Sequence, residues 1–342
     1  MLIPLAELLA ARDWHPHITP EGAVGDVARF VDLDHGLPED LAALDARVCL
    51  IIGVTRRPAT TPLLDAAEHL DLVLTSQEAS HPALVHVPDV DAVVAELTTA
   101  LDSSPRAALV LASILRQSAQ LAMGAAIAAE AAAYSTLLAG PEFAAWLSGR
   151  GARRAVPASD APRVAVAICQ DVLSIRLTRK LRLNAIDAAM RAALVEALEI
   201  AIADNSLRVE LSGDGPCFSN GGDLREFGTT PDPATAWAVR VSQHPGWQLA
   251  QVADRAVVRM HGACVGAGVE LAAFAGRVDA DPETTFLLPE LAMGLIPGAG
   301  GCVSIPRRIG RWRTLWLVAG GHMLTAPQAL AWGLIDDITS RA

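Results

Sequence analysis

The sequence predicts an α/β protein in two parts joined by a linker, and three observations predict it. Strand-like and helix-like runs alternate after Val164, which is typical of repeated β–α crossovers. A shorter α/β pattern near the start is followed by alanine-rich helical segments. The stretch between the two is rich in Gly, Arg, Pro and Ser and has no periodicity. We therefore expect an accessory domain at residues 1–150, a linker at 151–163 and a second domain at 164–342.

The first part has short apolar runs that predict buried strands, separated and followed by helical patterns. Thr61 is the expected cap of its first helix, because Pro62 suits a first helical turn. The predicted elements, in order, are a strand at 48–54, a helix at 61–70, a strand at 71–76, a helix at 89–101, an alanine-rich helical region from Pro105 to about Leu138, and a short helix at 141–150.

The second part predicts a largely parallel sheet, with functional loops at the carboxyl ends of its strands. Two of its strands end at glycine turns, around Gly222 and around Gly266. The predicted elements are strands at 164–171, 172–179, 208–213 and 256–262, and a long helix at 185–204.

Composition argues against several classes of function. The net charge of −11 argues against a nucleic-acid backbone as partner. No apolar run reaches the ~18 residues of a membrane helix, and the start of the chain has no basic segment typical of a signal peptide. The five cysteines lack CxxC spacing, which indicates reduced thiols in a cytoplasmic protein. His261 and Cys264 have no second pair to complete a zinc site, so no metal is expected.

Two glutamates, Glu270 and Glu290, lie in apolar, glycine-rich surroundings. Burial raises the pKa of a carboxyl group and lets it exchange protons near neutral pH. Gly221 and Gly222 form another glycine turn upstream. Two glycine turns beside two such carboxylates predict a site that holds an oxyanion and moves protons next to it. The alternative interpretation is that the glycines make tight turns only and that the glutamates are helix-start carboxylates.

Four blocks of the second part resemble the enoyl-CoA hydratase (crotonase) superfamily, in the order in which that family has them. They are LTRKLRLNAIDAAM, GPCFSNGGDLREF, HGACVGAGVELA and FLLPELAMGLIPGAGG, and they span roughly half of the chain. The usual proline of the first block is replaced. The resemblance implies a crotonase-like ββα spiral core, to which this chain adds an N-terminal α/β-plus-helical domain.

The resemblance also implies roles for individual residues. The backbone N–H groups of Gly222 and Ala267 would stabilise the enolate oxygen of a CoA thioester. Glu270 would orient and activate water, and Glu290 would exchange the proton at C2. Hydration of a 2-enoyl-CoA, or the reverse dehydration, requires both glutamates.

Arg179, Lys180, Arg182 and Arg225 match basic positions at which the family contacts the CoA phosphates. Solvated surface charge is the alternative interpretation for each of them. The resemblance implies no cofactor beyond the coenzyme A of the substrate, and a homo-oligomer, either a trimer or a hexamer. The charge and the lack of a long apolar run predict no nucleic-acid or membrane partner.

Other reactions on the same enolate stay open at this point. The chain resembles enoyl-CoA isomerases as well, and an N-terminal helical extension is also found in the cofactor-free arylacetyl-CoA dioxygenase branch. A non-enzymatic alternative is a degenerate crotonase-like subunit. By comparison with the family, we expect the second domain to lack the usual C-terminal helices, and we expect the helices between Pro105 and Arg150 to cover that surface instead.

Overall fold

The computed structural model describes residues 2–38, 40–151 and 161–340, so most of the expected linker lies outside the described residues. The strands of the described residues are β1 (Ile3–Pro4), β2 (His17–Ile18), β3 (Val24–Gly25), β4 (Ala28–Asp32), β5 (Leu50–Thr55), β6 (Leu72–Thr75), β7 (Leu84–His86), β8 (Val164–Cys169), β9 (Val172–Leu177), β10 (Arg208–Gly213), β11 (Ala256–Met260), β12 (Ala263–Val265), β13 (Arg277–Ala280), β14 (Thr285–Leu287), β15 (Leu324–Thr325) and β16 (Asp337–Ile338). The α-helices are α1 (Leu5–Ala11), α2 (Thr61–Glu68), α3 (Val90–Ser103), α4 (Pro105–Ser118), α5 (Met123–Leu138), α6 (Pro141–Gly149), α7 (Ala188–Ala203), α8 (Pro233–Ser242), α9 (Pro245–Ala250), α10 (Ala267–Ala272), α11 (Gly301–Ile309), α12 (Arg311–Gly320) and α13 (Ala326–Trp332).

The N-terminal sheet has five parallel strands in the order β1-β4-β5-β6-β7. Every residue of β5 is buried, as expected for a central strand that is covered on both faces. One correction concerns α2: its cap is Thr60, whose side chain accepts a hydrogen bond from the Leu63 N–H, whereas Thr61 is already helical. Two adjacent threonines before Pro62 offer two cap positions, and the sequence does not distinguish them.

The alanine-rich region folds as two helices, α4 and α5, and not as one. The Arg307 guanidinium donates to the backbone oxygens of Ser118 and Leu121, at 2.9 and 3.0 Å. Ser118 is the last residue of α4, where helical acceptors have no partner within the helix, and Leu121 lies between α4 and α5. The break is therefore stabilised by a side chain that lies far away in the sequence.

The second sheet has six strands in the order β16-β13-β11-β10-β9-β8. All its neighbours are parallel except β8 and β9, which form an antiparallel pair. A small sheet of β12, β14 and β15 lies beside it. The repeated strand–strand–helix order, as in β11-β12-α10 and β13-β14-α11, confirms the expected crotonase-like ββα spiral with an N-terminal α/β-plus-helical part.

One cluster of buried apolar side chains continues from the N-terminal sheet into the second part. It includes Ile52 of β5, Leu111 of α4, Ile127 of α5 and Val258 of β11. Side chains of α12 also donate to backbone oxygens of the first part, as the Trp312 indole does to Leu70 at 3.1 Å. Among the described residues, no helix combines the length and the apolar character that a membrane span requires.

Candidate active site

The two glycine turns are in direct contact. Gly221 has a φ of +83°, and a Cβ added there would lie 2.7 Å from the carbonyl oxygen of Val265 and 3.5 Å from the nitrogen of Ala267. A side chain at this position would therefore collide with the second turn, and the positive φ also favours glycine. The Val265 N–H donates to the carbonyl oxygen of Ser219 at 3.1 Å, which fixes one turn against the other.

The first turn is also held by the loop before α7. The Ile186 N–H donates to the Gly221 oxygen at 2.8 Å, and the Asp223 N–H donates to the Ile186 oxygen at 2.9 Å. The N–H groups of Gly222 and Ala267 donate to no acceptor within residues 2–38, 40–151 and 161–340. Both residues line a cavity of about 560 Å³. Two backbone donors without a described acceptor therefore belong to residues of the cavity wall.

Glu290 lies beneath the second turn. Pairing of β12 with β14 places Val265 opposite Leu287, and the chain then runs on to Glu290. A Cβ on Gly266 would lie 2.6 Å from the Oε1 of Glu290, so the glycine is required there by contact as well as by its φ of +48°. The carboxyl group is buried, and its Oε2 has no hydrogen-bond partner within the described part of the chain. Burial, with the negative charge of Glu270, raises the pKa of Glu290 well above its ordinary value.

Glu270 projects from the first turn of α10 onto the loop before α11. Its Oε2 accepts the N–H groups of Ala299 and Gly301, at 2.7 and 2.8 Å. A Cβ on Gly301 would lie 2.6 Å from the Glu270 Cγ, so this glycine leaves room for the carboxylate. Burial outweighs the two backbone hydrogen bonds and raises the pKa of Glu270 to about 7. The group therefore exchanges a proton near neutral pH.

A third carboxylate, Glu130, reaches the same loop from the N-terminal part. Glu130 lies on α5 and is only 1% exposed. Its Oε1 accepts the Gly300 N–H and its Oε2 accepts the Cys302 N–H, both at 2.7 Å. Along residues 299–302, successive backbone N–H groups thus donate hydrogen bonds alternately to Glu270 and to Glu130. Burial, followed by the charge of Glu270, raises the pKa of Glu130 well above its ordinary value.

Glu130 was not among the predicted site residues, although the sequence contains a signal for it. It is the only charged residue in α5, whose other residues are mostly alanine or larger apolar ones. Tyr134 follows one turn later on the same face and lines the cavity, which goes beyond the packed helix residue that its alanine-rich surroundings indicate. A Cβ on Gly298 would collide with the Tyr134 ring, so the glycine-rich loop is shaped to receive α5.

The four basic residues expected at the CoA phosphates have different surroundings. Arg179 is buried and pairs with Asp187 and Asp223, at 3.2 and 3.1 Å. Arg225 pairs with Asp223 at 2.5 Å and keeps about a third of its side chain exposed. The side chains of Lys180 and Arg182 are exposed.

None of these four side chains lines the cavity. The hydrogen bond from Arg225, together with Arg179, holds the pKa of Asp223 well below its ordinary value. His261 is buried, and its Nε2 lies 3.0 Å from the oxygen of Gly215.

Comparison with known proteins decides the family. The sequence model of the enoyl-CoA hydratase/isomerase family matches residues 167–342, just over half of the chain. The chain belongs to the enoyl-CoA hydratase/isomerase family. The four motif blocks, with the glycine turns and both predicted glutamates, lie within this matched region.

Among its relatives, the 2,3-dehydroadipyl-CoA hydratase of Escherichia coli (strain K12) is 33% identical over 171 residues, or 49% of this chain. The match spans 66% of that hydratase, slightly less than two thirds of its length. Among solved structures, an enoyl-CoA hydratase from Thermoplasma volcanium is 28% identical, with a TM-score of 0.49, over 53% of this chain and 73% of that one. An enoyl-CoA hydratase/isomerase from Mycobacterium abscessus is 31% identical, with a TM-score of 0.48, over 52% and 71% of the two chains.

Proposed function

We propose that the protein hydrates a 2-enoyl-CoA, or dehydrates the corresponding 3-hydroxyacyl-CoA, through a thioester enolate. The observation that carries the proposal is the convergence of Glu270 and Glu290 on one cavity with the glycine turns. Family membership supports chemistry on a CoA thioester. The same cavity is lined by Gly222 and Ala267, the proposed donors to the enolate, and by two carboxyl groups whose pKa values are raised by burial.

In this proposal the thioester oxygen accepts the N–H groups of Gly222 and Ala267. Glu270 accepts a proton from water as the water oxygen bonds to C3. The C2–C3 π electrons move to the enolate, whose negative charge lies on the thioester oxygen between the two donors. Glu290 then delivers a proton to C2. Reversal of the same steps removes water. Each glutamate changes its protonation state once, and a proton exchange between them or with solvent completes the cycle.

The unpartnered Oε2 of Glu290 favours a role in proton transfer over a structural one. A buried carboxyl oxygen without a donor costs folding free energy, and a structural glutamate would be expected to have partners for both oxygens, as Glu130 does. Enoyl-CoA isomerisation remains the second candidate, because one carboxyl group that moves a proton between carbons suffices for it.

The test is incubation of the purified protein with 2-enoyl-CoA, 3-enoyl-CoA and arylacetyl-CoA thioesters in water labelled with heavy oxygen, with and without molecular oxygen. Hydration yields a 3-hydroxyacyl-CoA that carries the label from water. Isomerisation yields an unlabelled product of unchanged mass, and oxygenation requires molecular oxygen. Absence of the labelled product with every 2-enoyl-CoA would exclude the proposed reaction.

We also propose that the protein acts as a homo-oligomer, a trimer or hexamer, in the cytoplasm, without a metal or a cofactor other than the substrate's coenzyme A. Its negative charge and lack of CxxC spacing are compatible with this proposal. Sedimentation equilibrium of the purified protein measures the mass of the assembly directly, and a monomer at working concentrations would contradict it.

A further inference from the structure

The cavity wall formed by α5, α8 and α9 carries hydrogen-bond donors. A simple enoyl chain has no polar group that could accept them, and its hydration does not require them. Arg240 of α8 lines this wall. Its Nε is buried without a partner in the described part of the chain. Its Nη1 donates to the Ala236 oxygen of its own helix, at 3.3 Å. The guanidinium therefore keeps donors that can be used by a molecule in the cavity.

Arg240 packs against an aromatic ring, and it forms no ion pair with any of residues 2–38, 40–151 and 161–340. Its guanidinium carbon lies 4.0 Å from the centre of the Tyr134 ring, within the range of a cation–π contact. Tyr134 is itself fixed, because its ring packs on the backbone of Gly298. The charge of Arg240 is thus positioned at the cavity without being neutralised by a carboxylate.

His244, four residues further along, adds a second donor. It is 6% exposed and lines the same cavity. Burial lowers the pKa of His244 to about 4, so the ring is neutral at pH 7. Its Nδ1 accepts the Trp247 N–H at 3.0 Å and therefore has no proton of its own. The proton of the neutral ring is on Nε2, and Nε2 has no partner within the described residues.

The charged groups that face Arg240 do not satisfy it. Glu130 and Glu270 lie close enough for its charge to lower their pKa values, but both accept N–H groups of residues 299–302. Arg191 of α7 is a second cation on the cavity wall, with its own buried and unpartnered Nε. Glu226 offsets the charge of Arg191. Among the described residues, no carboxylate is therefore available to pair with Arg240. A half-buried cation without a paired anion costs folding free energy.

We propose that Arg240 and His244 bind a carboxylate at the far end of the acyl group, so that the substrates are CoA thioesters of unsaturated dicarboxylic acids. The inference rests on the proposed function, because the thioester end must lie at Gly222 and Ala267. A carboxylate matches a planar guanidinium and a neighbouring N–H donor, and it supplies the missing charge. A hydroxyl or carbonyl group would satisfy the donors but leave the charge uncompensated.

The test compares two six-carbon 2-enoyl-CoA substrates that differ only in the far end, a methyl group or a carboxylate. We expect the wild-type protein to have the higher kcat/KM for the carboxylate substrate. Arg240→Met also removes a charge that lowers the pKa of Glu270 and so affects both substrates, but it should lower kcat/KM roughly 10- to 100-fold more for the carboxylate substrate than for the methyl substrate. Arg240→Lys keeps the positive charge but loses the planar pair of guanidinium donors. It should retain part of the preference for the carboxylate substrate. Arg191→Met is the matched control, and it should affect both substrates alike.

Binding of the saturated analogues hexanoyl-CoA and adipyl-CoA, measured by calorimetry, separates this inference from the proposed reaction. If neither enoyl substrate reacts but adipyl-CoA binds more tightly in an Arg240-dependent manner, the hydratase proposal fails and the carboxylate site stands. Equal binding of the two analogues by the wild-type protein would overturn the site. The site would also be overturned if Arg191→Met, and not Arg240→Met, removes the preference. Thermal unfolding of each variant confirms that it is folded.

Discussion

Two regions of the N-terminal part, its parallel sheet and α5, each bury a carboxylate, and the pKa values of the two carboxylates shift in opposite directions. In the parallel sheet, Asp71 is 2% exposed and pairs with Arg47 at 3.1 Å and with Arg116 at 2.7 Å. These arginines overcome the effect of burial and hold the pKa of Asp71 well below its ordinary value. In α5, Glu130 is equally buried but is held by backbone N–H groups alone, and its pKa is raised. Burial is the same in both cases. Hydrogen-bonded arginines lower the pKa of Asp71, whereas burial and the negative charge of Glu270 outweigh the charge of Arg240 and raise the pKa of Glu130.

This difference separates a structural carboxylate from those of the candidate site. Of the residues before 151, those that line the cavity are Tyr134 and Leu138, both from α5. The α5 helix is thus part of the site, whereas the sheet supports it from a distance through the shared core.

Removal of the N-terminal part should have the largest effect. We expect residues 160–342 alone to aggregate or to lack activity, because α4 and α5 share buried apolar side chains with the second part and α5 supplies Glu130. Size-exclusion chromatography and turnover of the fragment measure this. A soluble, monodisperse and fully active fragment would show that the N-terminal part is dispensable for the site.

Substitution Glu290→Gln should lower turnover by roughly 10²–10⁴, the range for loss of a general acid or base, with substrate binding largely kept. The amide preserves the shape of the side chain but cannot exchange the proton at C2. Steady-state kinetics and binding of a saturated acyl-CoA measure the two effects separately. Wild-type turnover in this variant would remove Glu290 from the mechanism.

Substitution Gly222→Pro deletes one of the two N–H groups proposed to bind the enolate oxygen, and we expect turnover to fall on the order of 10²–10³. Because proline can disturb the turn, circular dichroism must show a wild-type spectrum before the kinetics are interpreted. A folded variant that turns over normally would mean that Gly222 does not stabilise the enolate.

Substitution Asp71→Asn should act on stability and not on chemistry. Loss of the carboxylate leaves buried arginines uncompensated and should lower the free energy of unfolding by about 3–5 kcal/mol. Turnover of the folded fraction should be unchanged, because Asp71 does not line the cavity. Denaturant unfolding and active-site titration give the two values, and a catalytic defect at wild-type stability would reverse the division between the two regions.

The pH dependence of stability should separate the same two regions. Burial raises the pKa of Glu270 from its ordinary 4.5 to about 7 in the folded protein. The protonated form therefore favours the fold: this contribution is fully present below about pH 4.5 and is lost as the pH rises through 7. Its size is on the order of 3 kcal/mol. The contribution of Asp71 to folding stability changes in the opposite direction. It is lost as the pH falls below the pKa that this carboxyl group has in the unfolded chain.

Denaturant unfolding between pH 5 and 8 measures this contribution. Glu270→Gln should weaken the loss of stability toward pH 8, whereas Asp71→Asn, the matched control from the sheet, should leave that slope unchanged. An unchanged slope in Glu270→Gln would mean that the carboxyl group titrates near its ordinary pKa.

The local sequence determined much of the fold and half of the site. The strands and helices around the glycine turns follow from apolar periodicity, and Gly221, Gly266 and Gly301 are required by positive φ or by contact at distances under 3 Å. These are short-range constraints, so they are visible as motifs. The glutamates Glu270 and Glu290 belong to the same motifs and were predicted with them.

Only the tertiary structure decided which other side chains meet there. Glu130 lies 140 positions before Glu270, and Arg240 meets Tyr134 across a similar gap in the chain. Packing of α5 on the loop at 298–302 brings them together, and periodicity carries no information about which surfaces pack. The same applies to Arg179, whose basic side chain resembles a phosphate contact in sequence but is paired with buried aspartates in the fold. A side chain's charge and its spacing are local, whereas its partners and its desolvation, which set its pKa, depend on contacts made through the whole fold.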